Sequence, residues 1–179
     1  MFSFLQWPYG SYFNNVTGLT NYYNFDQPNY PPNPFEQYLN QPSVKSALNV
    51  DPSYVYSSGN NTVEVYLLED WLKSVKPFVT TLLDNYRVLI YNGQNDIILS
   101  APNCENFLKD LIWGGASDWH LAHRDVWYVD GEPDQPAGYV RQGGGLTYVV
   151  IRGAGHLVPQ DQPKRAFDMI TRFIEGEPF

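Results

Sequence analysis

A single cysteine, Cys104, occurs in the 179 residues, so no internal disulfide can staple this chain. Positive charge is also scarce. Eleven Lys and Arg face 19 Asp and Glu, and no basic cluster offers a surface for phosphates, which argues against a nucleic-acid partner. Unbroken apolar runs stop at about four or five residues, as in "YVVI", so no segment can span a bilayer and no membrane partner is expected. The opening "MFSFLQWPYGSY" has neither a charged start nor a sustained apolar stretch, and does not read as a signal peptide.

What is present suits a folded domain. Apolar residues make up 43% of the chain and aromatics 16%, enough for a packed core at this length and too much for whole-chain disorder. Residues 1–34, rich in Tyr, Asn, Pro and Gly, show no sustained period and predict an irregular segment packed down by its aromatics. "NPFEQYLNQPSVKSALNV" reads as short helical pieces interrupted at Pro42. From Thr62 to Tyr86, Val65, Leu68, Trp71, Leu72, Val75, Val79, Leu82 and Leu83 recur at helical spacing, with an adjustment expected near Pro77.

The texture then changes. "RVLIYNG" is a continuous apolar run closed by Asn-Gly, the pattern of a strand buried on both faces. "NFLKDLIW" reads as a helix. "VWYVDGE", "AGYVRQGGG" and "LTYVVIRG" read as three short strands between Gly and Asp turns. "PKRAFDMITRFIEGEP" is an amphipathic helix with Ala166, Phe167, Ile170, Phe173 and Ile174 on one face. The pattern predicts an α/β fold, in which sites form beyond the carboxyl ends of the strands.

Two loops occupy such positions. "RVLIY" delivers Asp96 in "NGQND", and "TYVVIR" delivers His156 in "GAGH". An acid after one strand and a histidine after a later one is the second half of an α/β-hydrolase triad, whose chain order is nucleophile, acid, histidine. The carboxylate would hold the imidazole in one tautomer, and the imidazole would move protons for the nucleophile. Either residue alone also has a structural reading, Asp96 as a turn residue and His156 as a loop cap. His120 and His123, three apart in "DWHLAHRD", could share a helical face as metal ligands. With no third ligand nearby, a surface or packing role is the better reading and no metal is expected. Cys104 reads as a buried or semi-buried thiol. Asn15 in "NVT" and Asn60 in "NNT" are glycosylation acceptors by pattern, which permits a secretory route.

"LIYNGQNDIIL" and "IRGAGHLVPQDQPKRAFDMITRFIEG" resemble the acid and histidine blocks of the serine carboxypeptidases, closest to the vitellogenic-carboxypeptidase-like branch. "WYVDGEPDQPAGYVRQGGGLTYVVIRGAGH" is similar to the strand pair leading into that family's histidine, and "TGLTNYYNF…FEQYLNQPSVKSALNV" to the end of its cap region. The resemblance implies the C-terminal part of an α/β-hydrolase fold. Residues 1–61 would hold the end of a cap insertion with connecting helices, and 62–179 the core carrying both loops. It implies Asp96 as catalytic acid, His156 as catalytic base and Leu157 near the pocket for the released residue. It further implies a Ser-His-Asp acyl-enzyme peptidase that acts on peptide or protein C-termini in the lysosome, vacuole or extracellular space, with no metal and no organic cofactor.

The nucleophile of that family sits in a Gly-Glu-Ser-Tyr-Gly elbow, and none of the ten serines here lies in Gly-x-Ser-x-Gly. Ser117 in "GASDW" comes nearest, but Trp119 two residues on would crowd the turn, and Ser117 lies between Asp96 and His156. The glycine-rich block that supplies part of the family's oxyanion hole is absent too, so these residues alone are expected to be inactive. The chain then reads as a C-terminal fragment of such an enzyme, with the N-terminal part on the same polypeptide or on a separate chain. Two alternatives stand beside it: a catalytically inactive short binding protein, or a fragment of a related acyltransferase. Expressed alone, the 179 residues are expected to be marginally stable or to aggregate, because the "RVLIY" strand would expose an edge and apolar faces.

Overall fold

A computed structural model describes residues 11–28 and 34–179. The chain divides into two compact units, Met1–Thr17 with Asn29–Lys73, and Gly18–Pro28 with Ser74–Phe179.

The first unit is helical. It holds α1 (Ser11–Thr17), α2 (Pro34–Leu39), α3 (Pro42–Ala47) and α4 (Asn61–Trp71). The helix α1 falls where an irregular segment was expected. Thr17 Oγ1 bonds back to the Phe13 carbonyl at 2.7 Å, satisfying a hydroxyl that would otherwise compete with the helix. Residues 1–10 and 29–33 of that expected segment lie outside the described residues. Pro42 opens α3, where its lack of an N–H is harmless. Asn60 caps α4, its Oδ1 accepting from the Thr62 and Val63 amides.

Among the described residues of this unit no apolar side chain is buried. Polar stitches hold it. The buried Lys45 ammonium donates to the Pro52 and Tyr54 carbonyls, and Asn40 bonds both the amide and the carbonyl of Tyr56.

The second unit contains α5 (Lys76–Asn85), β1 (Val88–Gly93), α6 (Ala101–Lys109), α7 (Ala116–Leu121), β2 (Arg124–Trp127), β3 (Gly138–Gly143), β4 (Leu146–Ile151), α8 (Val158–Asp161) and α9 (Pro163–Glu175). The periodic stretch expected as one helix with an adjustment is thus two, α4 and α5, parted at 72–75. Pro77 sits in the first turn of α5, where it starts a helix instead of bending one.

The sheet runs β1-β4-β3-β2, with β1 parallel to β4 and the remaining pairs antiparallel. Side chains alternate along β4. Val149 and Ile151 pack with Ala166 and Met169 of α9, whereas Tyr148 and Val150 pack on the other face with Leu83 of α5 and Leu108 of α6. Helices therefore cover both faces of the sheet, the α/β layering expected from the sequence.

The strand buried at every position is β4, not β1. In this sheet β1 is an edge, four of its six residues are half-buried, and Tyr91 is 43% exposed. An apolar run shows that a strand wants cover, but not whether a neighbour lies on both sides. No helix among the described residues is long and apolar enough to cross a membrane.

Candidate active site

The parallel strands β1 and β4 end side by side, Gly93 opposite Ile151, and the loops that follow are laced together. The Gln94 amide donates to the Ile151 carbonyl at 2.9 Å, and the Asn95 amide to the Ala154 carbonyl at 2.8 Å. Gly93 and Gly155 permit this contact. A Cβ on Gly93 would fall 2.0 Å from the Gly155 carbonyl oxygen, and one on Gly155 would fall 2.0 Å from the Tyr23 carbonyl oxygen. Only glycine lets the backbones approach so closely.

Asp96 and His156 meet across this junction. Asp96 is 5% exposed. Its Oδ1 accepts the amides of Ile98 and Leu99 at 2.8 and 3.1 Å, and its Oδ2 lies 2.8 Å from His156 Nδ1. Two backbone donors lock the carboxylate in place, so its other oxygen is aimed at the ring. A carboxylate can only accept, so Nδ1 carries the proton and Nε2 keeps its lone pair in the neutral imidazole. The His156 amide donates to the Tyr23 carbonyl at 2.6 Å, and the Tyr23 ring meets the imidazole edge-on with centroids 5.3 Å apart. The His156 side chain remains 26% exposed. A held, half-open imidazole with a carboxylate behind it can take a proton from a hydroxyl placed before it and return it to a leaving group.

The remaining sequence candidates do not join this pair. Leu157 follows His156 directly and is partly exposed at the start of α8. Ser117 is exposed in the first turn of α7. The ring of His120 meets Trp119 edge-on, and His123 lies beyond the end of α7, so the two histidines do not share one helical face. Among the described residues no three His, Cys, Asp or Glu side chains gather as metal ligands. Cys104 is half-buried in α6, and burial pushes its thiol up from the usual range. Burial likewise pushes the Tyr148 phenol far up, so it stays a neutral partner of Asn92 and the Ala101 carbonyl. Asn15 is exposed on α1, and Asn60 is exposed at the start of α4. A shallow cavity of about 210 Å³, lined by Arg87, Leu146, Arg172 and Phe173, lies at the opposite ends of β1 and β4 from Asp96 and His156.

Sequence reasoning missed the segment Gly18–Pro28, which crosses both loops. The amides of Phe25 and Ile97 exchange bonds with Asn95 and Tyr22, and Asn24 is buried between the loops. Its asparagines look like ordinary turn residues in the sequence, and nothing there signals a contact more than 130 residues away.

The serine carboxypeptidase family profile matches residues 9–176. This chain belongs to the serine carboxypeptidase family. Within it, the chain is 45% identical over 169 residues to the human "Probable serine carboxypeptidase CPVL", an alignment covering 93% of this chain and 35% of that protein. It is 44% identical over 167 residues to the "Vitellogenic carboxypeptidase" of Aedes aegypti, covering 91% and 35%. The "Venom serine carboxypeptidase" of Apis mellifera is 39% identical over 172 residues, covering 94% and 36%. The chain thus spans about a third of the length of these serine carboxypeptidases, a C-terminal portion of them. Among solved structures it resembles Kex1(delta)p, a prohormone-processing carboxypeptidase from Saccharomyces cerevisiae. The TM-score is 0.70 at 22% identity, covering 87% of this chain and 36% of that one. That likeness establishes the fold, which is the α/β-hydrolase fold of the serine carboxypeptidases.

Proposed function

We propose that Asp96 and His156 are the acid and base of a serine carboxypeptidase whose nucleophile lies outside these 179 residues. The observation that carries this reading is the 2.8 Å contact between Asp96 Oδ2 and His156 Nδ1 at the ends of adjacent parallel strands. In this mechanism His156 Nε2 takes the proton of a serine hydroxyl as the oxygen attacks the carbonyl of the last peptide bond. Asp96 stabilises the imidazolium without itself taking the proton. His156 then protonates the departing amino group, the C-terminal amino acid leaves, and water hydrolyses the acyl-enzyme by the same proton path in reverse. Leu157, next to the base and partly exposed, would border the pocket of the released residue. The substrates are peptide and protein C-termini, and the steps call for neither metal nor organic cofactor. Residues 1–61 would be the end of the cap with its connecting helices, and 62–179 the core.

Two experiments test this. The transcript upstream of the Met1 codon is expected to continue in frame into a Gly-x-Ser-x-Gly elbow, or a second chain carrying that elbow is expected to co-purify. A message that begins at Met1, with no such chain attached, would exclude the reaction on chemical grounds. A secretory location follows from the same reading, with Asn15 and Asn60 both exposed and able to carry glycans. Glycosidase treatment of the native protein should then lower its mass, and replacing each Asn by Gln should remove one step of that shift. A native mass that glycosidase leaves unchanged rules out both glycans.

A further inference from the structure

The machinery described so far leaves one buried polar cluster unused. Asn24, 3% exposed, bonds to the acid loop and, through Asp161, reaches the histidine loop. Its Nδ2 donates to Asp161 Oδ2 at 2.9 Å, and the same carboxylate oxygen accepts the Gly155 amide at 2.7 Å, one residue before the histidine. Its Oδ1 accepts from Asn95 Nδ2 at 3.2 Å, one residue before Asp96, and from the Asp26 amide at 3.1 Å. Asn21 Oδ1 in turn accepts the amides of Tyr23 and Asn24, which fixes the strap on which Asn24 is carried.

We infer that Asn24 is a positioning residue that sets the spacing of the Asp96–His156 pair, acting through Asn95 on one side and through Asp161 and Gly155 on the other. The inference rests on the catalytic reading of that pair. Three features support it. Asn24 is bonded directly to the neighbour of Asp96 and, through the Asp161 carboxylate, to the neighbour of His156. Its amide can donate to a carboxylate and accept from a second amide at the same time. Buried polar groups of this kind are costly to leave unpaired, so the network has one arrangement and not several. The strap also has no room to drift, since Tyr23 and Asn24 sit so close over Gly155 that no Cβ would fit there. A sub-ångström error in the loop spacing would lengthen the Asp96–His156 bond and let the ring turn, and such misplacement is costly to a proton-transfer site.

The test uses the longest form of the protein that its transcript encodes, labelled uniformly with ¹⁵N. The Nδ1 proton held by Asp96 gives a strongly deshielded resonance, assigned by its loss in His156→Ala. Asn24→Asp sets two carboxylates against each other. The expected result is loss or broadening of the resonance while the amide signals of β4 and α9 stay in place. Asp161→Ala removes the carboxylate that joins Asn24 to the Gly155 amide, and the same loss or broadening is expected there. An unshifted, sharp resonance in Asn24→Asp overturns the inference, as does one in Asp161→Ala. If Asn24→Asp does not fold, Asp161→Ala alone is read in its place, and a wild-type resonance there overturns the inference equally. Asp96→Asn separates this idea from the one beneath it. A resonance that survives Asp96→Asn sinks the acid–base pair itself. A resonance lost in Asp96→Asn yet untouched by the Asn24 and Asp161 variants sinks only the positioning role.

Discussion

The two units are built on different physics. In the second, β4 is buried at all six positions and apolar side chains pack on both faces of the sheet. In the first, no described apolar side chain is buried. Tyr66 is 83% exposed, and order comes from single polar side chains such as Lys45 and Asn40 bonded to loop backbone. Burial of a packed core is cooperative and rigid, whereas a few hydrogen bonds to exposed backbone each contribute about 1 kcal/mol. The candidate acid and base both stand on the rigid unit. A proton-transfer pair needs distances held to a fraction of an ångström, and a core can supply that where isolated stitches cannot.

The largest test of this contrast is chemical. In the longest encoded form, His156→Ala is expected to lower kcat on the order of 10⁶-fold, and Asp96→Asn roughly 10⁴-fold through the wrong tautomer. Peptidase assays that find either variant fully active would break the link between the rigid unit and catalysis. Next comes stability. Ile151→Ala, at a fully buried position, should cost about 2–5 kcal/mol in urea unfolding, whereas Tyr66→Ala in α4 should stay within about 0.5 kcal/mol. Equal costs would mean that α4 is packed against something in the native protein. Lys45→Met should cost roughly 1–3 kcal/mol, because the Pro52 and Tyr54 carbonyls lose a charged donor. Hydrogen exchange should rise over residues 50–56 and leave β4 unchanged; a rise confined to β4 would contradict the polar-stitch account. Smaller still, the half-buried Cys104 thiol, raised by burial, should be alkylated more slowly at neutral pH than a free cysteine peptide, and faster once urea exposes it. The smallest effect belongs to His120→Ala, expected to change neither kcat nor stability measurably; a large loss there would mean that α7 serves the site.

The parts of the site that lie close in sequence were readable from it. Asp96 follows "RVLIY" and His156 follows "TYVVIR" because a strand, a glycine turn and a polar residue are local patterns, and local patterns survive in a linear string. Three of the strands and the last helix were legible for the same reason, as apolar patterns or helical spacing within ten to fifteen residues, whereas the strand read over 126–132 lies at Arg124–Trp127. An exposed edge at β1 was expected, but the order of the sheet was not legible, because it depends on which strands pair, and pairing brings together residues that are dozens apart. The break at 72–75 was blurred by apolar residues that keep helical phase across it. Asn24 was invisible because its partners are Asn95 and Asp161, and no spacing rule connects an asparagine to a carboxylate 137 residues later.

Composition and pattern by themselves determined that these 179 residues form an α/β fold with no internal disulfide, that they hold no cluster of basic residues, and that an acid and a histidine each follow a strand. Tertiary structure decided that the two strands are neighbours, that Asp96 Oδ2 and His156 Nδ1 stand 2.8 Å apart, and that a strap from the far end of the chain ties both loops. The division has a physical cause. Propensity and periodicity act over one or two turns of backbone, while hydrogen-bond geometry between loops is settled only when the sheet closes and buries the groups that must pair.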